Sequence, residues 1–159
     1  MSILTDFFIA TPEEVDVLRV EQSLRDPVPT LEMNNVDSSK IEILARIIVE
    51  KPQGKMIALV KGASGEKFVP VDELDEQDLM DMEQWIEQLE PVFVECLASI
   101  AAEQVSHVAT QWAIQWAEFD GRVVGKDDPE SLSQLVRQLC QLAKRARAEG
   151  KQMYLRTCL

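Results

Sequence analysis

The chain of 159 residues is poor in the side chains that build metal and redox centres. It has one histidine, His107, and three cysteines, Cys96, Cys140 and Cys158, whose spacing matches neither a C-x-x-C motif nor a zinc-ligand pattern. The sequence therefore predicts no metal site, no cofactor and three reduced thiols in a cytoplasmic protein.

Long apolar runs and positive charge are also scarce. No apolar run approaches the ~18 residues of a membrane-spanning helix, and no cationic region precedes the apolar N-terminal residues as in a secretion signal. Lys and Arg number 16 against 28 Asp and Glu, which gives a formal net charge of -12. Phosphate backbones and anionic lipids repel such a surface, so we expect neither nucleic acid nor a membrane as a partner.

No catalytic motif is recognisable. The Gly62-Ala-Ser-Gly65 segment lacks the G-K-[ST] end of a phosphate loop, and residues 72–81 lack the glycine of a calcium-binding loop. His107 lies off the apolar stripe of its predicted helix, as an exposed histidine does. With 28 carboxylates in the chain, close pairs arise by chance and do not indicate acid/base catalysis.

Helical periodicity is the strongest positive signal. An apolar stripe that includes Val105, Val108, Trp112 and Trp116 predicts a helix with both tryptophans in the core. Further helices are predicted by capping boxes at Thr11/Glu14 and Ser39/Glu42, by Asp75 as a cap, and by Asp128-Pro129, and they cover residues 12–24, 39–51, 76–83 and 128–149.

Extended segments are predicted at both ends of the chain and between the helices. They cover residues 3–9, 31–33, 56–60, 68–71 and 152–158, and Pro70 confines the fourth of them to a sheet edge. We therefore expect an α+β fold, namely a helix-rich single domain over residues 1–159 with a small sheet that includes the N- and C-terminal strands. The sequence does not decide whether residues 84–90 form a strand or a helix, because the spacing of Met82, Trp85, Ile86 and Leu89 also fits a helix.

Four local patterns together resemble an uncharacterised family of small bacterial proteins. They are Thr5-Asp6-Phe7-Phe8 before a helix, residues 32–36 leading into Asp37 and a helix, Trp112-Ala113 followed by Glu118-Phe119, and residues 142–150 running into Tyr154-Leu155 and Cys158-Leu159. The resemblance implies no activity and no site residues. It does imply a strand at 85–89 leading into the Pro91 helix, and a break near 100–102 that divides the 91–119 stretch into two helices.

Charge is distributed unevenly. The acidic tract, residues 72–90, holds nine acidic residues and no basic one, and its Asp75, Asp78 and Asp81 form one ridge if they lie on a helix. The tract is either a solvated helix face or a contact surface for a basic protein partner. A basic cluster of Lys144, Arg145, Arg147 and Lys151 at the end of the last helix makes head-to-tail homo-oligomers a second option.

These features predict a non-enzymatic protein-interaction protein that resembles an inhibitor or immunity protein, with Asp75, Asp78 and Asp81 as candidate contact residues. The alternative is a small hydrolase or ligand-binding enzyme whose site combines scattered carboxylates with His107.

Overall fold

In the part of the chain that the structure describes, six strands form one antiparallel sheet, and the larger helices cover one of its faces. The computed structural model describes residues 3–18, 30–34, 36–52, 54–63, 67–125 and 128–159. The strands are β1 (Leu4–Ala10), β2 (Thr30–Asn34), β3 (Ile57–Ala63), β4 (Val69–Pro70), β5 (Gln84–Leu89) and β6 (Gln152–Cys158), in the order β2-β1-β6-β5-β3-β4. The helices are α1 (Pro12–Asp16), α2 (Ser38–Ile48), α3 (Glu76–Asp81), α4 (Pro91–Ala98), α5 (Val105–Asp120) and α6 (Asp128–Glu149). The α+β fold with both terminal strands in the sheet is confirmed.

The strands β1 and β6 are neighbours in the interior of the sheet, and we refer to this pair as its centre. They pair from Leu4 opposite Cys158 to Ala10 opposite Gln152. Because both faces of this centre are covered, successive residues Phe7, Phe8 and Ile9 are all fully buried. At the other side of the sheet, β4 is the edge strand that Pro70 predicts.

The helix-covered face carries the main hydrophobic core. Trp112 of α5 is fully buried there, and its indole Nε1 donates a hydrogen bond of 2.8 Å to the carbonyl of Lys40 in α2. The Trp116 ring lies 5.5 Å from that of Trp112 at a tilt of 39°, but Trp116 is only partly buried, so the prediction of a buried pair holds fully for Trp112 alone. Helix α6 packs its apolar stripe on the same core and ends where Gly150 takes a φ of 65°.

The opposite face holds a smaller core of six buried side chains, Phe8, Ala10, Val15, Leu18, Ile86 and Tyr154. Two cations lie beside it, and both are stacked on one ring: Lys61 Nζ is 5.3 Å and the Arg156 guanidinium carbon is 5.6 Å from the Phe68 centroid. Only 6% of the surface of each cation is exposed. Burial lowers the pKa of Lys61, and the nearby charge of Asp16 opposes that shift.

Two expectations from the resemblance are confirmed. Residues 84–89 form β5, so the helical spacing that ends at Leu89 is not a helix but a strand with apolar residues on both faces. The 91–119 stretch is divided into α4 and α5 by the segment 99–104, and the helical axis bends by 100° there.

Helix α1 ends earlier than predicted. The Thr11/Glu14 capping box forms, but the helix stops at Asp16, and the residues predicted to continue it beyond Leu18 lie outside the described part of the chain. The carbonyl of Val15, which a longer helix would use internally, accepts hydrogen bonds from Leu18 N and Lys61 Nζ instead.

Helix α2 also differs from its prediction at both ends. Its cap is Asp37, whose carboxylate accepts from the Ser39 and Lys40 amides, so the predicted Ser39/Glu42 capping box is wrong. The helix ends at Ile48, three residues before Lys51, which has a φ of 54°. The side chain of Glu42 therefore takes no part in the helix cap and contacts another part of the chain.

Candidate functional site

The first half of the acidic tract folds into an exposed layer beside the β4 edge. We call residues 71–83 the acidic surface; they comprise a 3₁₀ turn at Val71–Glu73 and helix α3. The surface is held against β3 by Leu74 and Met82, which lie over Gly62. A Cβ atom at Gly62 would come within 2.0 Å of the Met82 sulfur, so the missing side chain is what allows this close approach.

The predicted contact residues lie where the sequence places them. Asp75 caps α3 by accepting from the Asp78 amide at 2.8 Å, and Asp78 accepts in return from the Asp75 amide at 3.1 Å. Asp81 accepts from Gln77 Nε2 at 2.8 Å. The three carboxylates therefore lie on one short helix and its cap, where Asp75 and Asp81 are exposed and Asp78 is half-buried.

None of the seven carboxylates of the acidic surface forms an ion pair with another described residue; they belong to Asp72, Glu73, Asp75, Glu76, Asp78, Asp81 and Glu83. Apolar side chains are exposed among them. Met80 is 81% exposed and its neighbour Leu79 is 45% exposed. An apolar spot within a charged rim is the usual anatomy of a protein contact surface.

The second half of the acidic tract has a different position. Glu90 is the residue before α4, where its backbone carbonyl accepts from Phe93 and Val94. Glu87 lies in β5 opposite Leu59 and Leu155, on the helix-covered face of the sheet. The tract is thus two features, an exposed surface and an inward-pointing carboxyl group.

A cleft of about 290 Å³ opens beside Glu87, near the N-terminal end of β3. Helix α2, the chain before β3, strand β5 and the end of α5 form its walls. It is lined by Ser38, Ser39, Glu42, Ile43, Arg46, Lys55, Ile57, Glu87 and Phe119. We call it the α2–β5 cleft.

Two half-buried carboxylates face this cleft. Glu42 Oε1 accepts from the backbone amides of Met56 and Ile57 at 2.9 Å each. Glu87 Oε1 accepts from Trp85 Nε1 at 2.9 Å. These bonds fix the two side chains, and the side chain of Ser38 also forms a hydrogen bond with Glu87.

The electrostatics of Glu87 follow from its burial. Loss of hydration raises the pKa of this carboxyl, the hydrogen bond from Trp85 opposes the rise, and the Glu42 charge adds to it. Lys55 and Ser38 also act to lower this pKa. The carboxyl is therefore poised to exchange a proton at a higher pH than an exposed glutamate.

The cations of the cleft are on its outer side. Arg46 and Lys55 are exposed, and neither they nor Glu42 and Glu87 form an ion pair with another described residue. At the α5 wall, Phe119 is held by Lys40, whose ammonium lies 5.3 Å from the ring centroid. The cleft thus presents two negative and two positive groups with no ion pair among them, although the Lys55 charge acts on Glu87.

The remaining sequence candidates lie elsewhere. His107 is exposed in the first turn of α5, about 18 Å along the helix from Phe119, so the structure does not bring it to the carboxylates of the α2–β5 cleft. The three cysteines are free, and burial raises the pKa of each thiol, which makes them poor nucleophiles.

Most of the basic cluster on α6 is paired within the chain. Arg145 contacts Glu149 at 2.6 Å, Arg147 contacts Glu95 at 3.4 Å, and Lys151 contacts Glu14 at 3.6 Å. These cations are less free to meet the acidic surface of a second copy than the sequence suggests.

Within the described ranges, no three His, Cys, Asp or Glu side chains are grouped so that they could hold a metal ion. No single described helix is long and apolar enough to cross a membrane, although the bent pair 91–98 and 102–120 reaches that length and composition when its members are taken together.

Comparisons of the chain with protein families, with curated proteins and with solved structures found no match.

Sequence reasoning missed the α2–β5 cleft. In the sequence, Glu42 fits a capping box and Glu87 belongs to the acidic tract, so neither pattern indicates a shared cleft. One signal was present: if residues 84–89 are taken as a strand, Trp85, Glu87 and Leu89 share a face, and a carboxylate between two apolar residues on an inward face is unusual.

Proposed function

We propose that the protein is a non-enzymatic interaction protein of the cytoplasm, and that its acidic surface binds a basic protein partner. One observation carries the proposal: seven carboxylates without a cation partner among the described residues lie in the same short segment as the exposed Leu79 and Met80. The charges would select a cationic face, and the apolar pair would contribute contact area.

The physical role of the two components differs. Clustered charge accelerates encounter with an opposite surface, and the effect fades with salt because the screening length is only ~8 Å at physiological ionic strength. An exposed methionine contributes contacts that salt does not screen, and its flexible thioether adapts to the partner's shape. Binding of this kind weakens with salt but does not depend on charge alone.

The test is capture of partners from a lysate of the native cell at low and at high salt, followed by identification of what is bound. The acidic variant replaces Asp75, Asp78 and Asp81 with Asn. Asn is as good a helix cap as Asp, so the variant keeps its fold while losing three charges. We expect a basic protein to be captured by the wild type at low salt and about tenfold less by this variant.

A matched control removes the same number of charges elsewhere, with Glu103→Gln, Glu118→Gln and Glu130→Gln. These three residues are exposed, and none of them forms an ion pair with another described residue. Equal losses in the two triple variants would mean that only net charge matters. Failure of the wild type to capture any basic protein would refute the proposed function.

A further variant, Met80→Ser, probes the apolar spot without a change of charge. We expect it to weaken capture at every salt concentration, with the same salt dependence as the wild type. An unchanged capture would leave the carboxylates as the whole of the contact surface.

A further inference from the structure

The α2–β5 cleft has the charge layout of a site for a small zwitterion. Its half-buried carboxylates, Glu42 and Glu87, face a common space, and the exposed Arg46 and Lys55 line the same space on its outer side. Neither carboxylate forms an ion pair with another described residue, although the Lys55 charge lowers the pKa of Glu87. A ligand that is positive beside the carboxylates and negative beside the cations would complement both pairs.

We propose that the cleft binds a free α-amino acid with an apolar side chain, with its ammonium group on Glu42 and Glu87 and its carboxylate on Arg46 and Lys55. One molecule of this class carries both of these charges. It would also relieve the repulsion between the two glutamates, since an ammonium group can donate to both.

The rest of the lining fits the same ligand. Ser38 and Ser39 add hydroxyl groups, while Ile43, Ile57 and Phe119 form an apolar wall for an aliphatic or aromatic side chain. The volume of about 290 Å³ corresponds to roughly ten water molecules, which is room for an amino acid but small for a peptide or a nucleotide.

The site is already rigid on its acidic side. Glu42 is fixed by the two amides that begin β3, and Glu87 is fixed by the indole of its own strand. Fixed acceptors lose little conformational freedom when a ligand binds, which favours affinity in a small site. The cleft lies at the start of β3, whereas the acidic surface contacts Gly62 near its other end, so the two sites can be tested separately.

Isothermal titration calorimetry of the full chain with L-leucine, L-isoleucine, L-phenylalanine and L-methionine tests the proposal. We expect saturable binding of at least one of them at a ratio of one per chain. Its N-acetyl form lacks the ammonium charge and its amide form lacks the carboxylate, and each should bind at least about tenfold more weakly.

Two variants locate the site. Glu87→Gln keeps an oxygen for Trp85 but loses the charge, and Arg46→Gln removes a rim cation. Each should raise the dissociation constant at least about tenfold, because hydrogen bonds to charged groups are worth more than neutral ones. Glu103→Gln, which removes a distant exposed carboxylate, should leave binding unchanged.

Three results would overturn the proposal. They are the absence of saturable binding of all four amino acids, equal binding of the amino acid and its amide, and full affinity in Glu87→Gln. A thermal melt of each variant guards against unfolding, since Glu87→Gln is expected to be at least as stable as the wild type at neutral pH.

Discussion

The centre of the sheet and its β4 edge differ in what their side chains contact. At the centre, Phe7, Phe8 and Ile9 of β1 are buried on both faces between β2 and β6. At the edge, β4 pairs with β3 through two residues only, and the chain then passes into the exposed acidic surface. Apolar residues are therefore concentrated at the centre of the sheet, and charged residues are concentrated at its exposed edge.

Strand β5 lies between these extremes and combines them. Its Ile86 and Leu89 are fully buried core residues, while Glu87 places a carboxyl group on the core side of the same strand. A residue of this kind opposes stability and is typically retained for a binding role. The following changes should separate the centre, the cleft and the edge by the size of their effects.

The largest effect is expected from deletion of residues 153–159. Strand β6 joins β1 to β5, so its loss divides the sheet into the β2-β1 pair and the β5-β3-β4 group. We expect insoluble or molten protein, measured as loss of the near-ultraviolet circular dichroism signal. A truncated chain with an unchanged spectrum would contradict the central role of β6.

Trp112→Ala should have the next largest effect. It removes a fully buried indole and the hydrogen bond that this indole donates to the carbonyl of Lys40. The expected loss is ~3 to 5 kcal/mol of unfolding free energy, measured by denaturant titration at constant slope. Trp116→Ala is the matched comparison, and because Trp116 is only partly buried, its loss should be clearly smaller.

Glu87→Gln should have a smaller effect of opposite sign, and that effect should depend on pH. Burial raises the pKa of Glu87, so the folded chain retains this proton at pH values where the unfolded chain has lost it. The wild type therefore loses stability as pH rises from the ordinary carboxyl range of about 4.3 through the raised folded pKa. We expect the variant to melt at a higher temperature than the wild type at about pH 7.5 and to show no advantage at about pH 3.5.

Glu118→Gln is the control for that pH profile, because it removes an exposed carboxyl. Its melting temperature relative to the wild type should not change with pH as that of Glu87→Gln does. If the difference in melting temperature between Glu87→Gln and the wild type did not change with pH, Glu87 would not be a buried carboxyl group that retains its proton.

The smallest effect on stability is expected at the edge. Replacement of Asp75, Asp78 and Asp81 by Asn removes like charges from an exposed segment and keeps its cap, so unfolding free energy should change by no more than ~0.5 kcal/mol. Denaturant titration measures the stability of this variant, and the partner-capture assay measures its binding. We expect little change in stability and a large loss of binding. A loss of several kcal/mol would show that this segment contributes substantially to the stability of the fold.

Local signals in the sequence were sufficient for most elements. The Thr11 capping box, the proline at the start of α4, the apolar stripe of α5 and the glycine after α6 each act within a few residues, and each feature is present in the structure. What local patterns could not decide was β5. A strand buried on both faces carries apolar residues at successive positions, and Met82, Trp85, Ile86 and Leu89 fit a helical stripe equally well.

The α2–β5 cleft was beyond local reasoning for a different reason. Glu42 meets amides that lie 14 and 15 residues later in the chain, and Glu87 faces it from a third element. Such a meeting depends on how α2 lies over the sheet, which no spacing along the sequence encodes. The acidic surface, in contrast, is a continuous segment, and composition alone pointed to it.

The position of β6 also bears on the order of events during synthesis. Strand β6 follows the other five described strands along the chain, so the β2-β1 pair and the β5-β3-β4 group cannot be joined until β6 has been synthesised. Pairing of Leu4 with Cys158 closes a loop of nearly the whole chain, the kind of contact that slows folding and leaves apolar strand edges open to other chains. The sheet can therefore close only after β6 has been synthesised, and until then the facing edges of β1 and β5 have no partner strand.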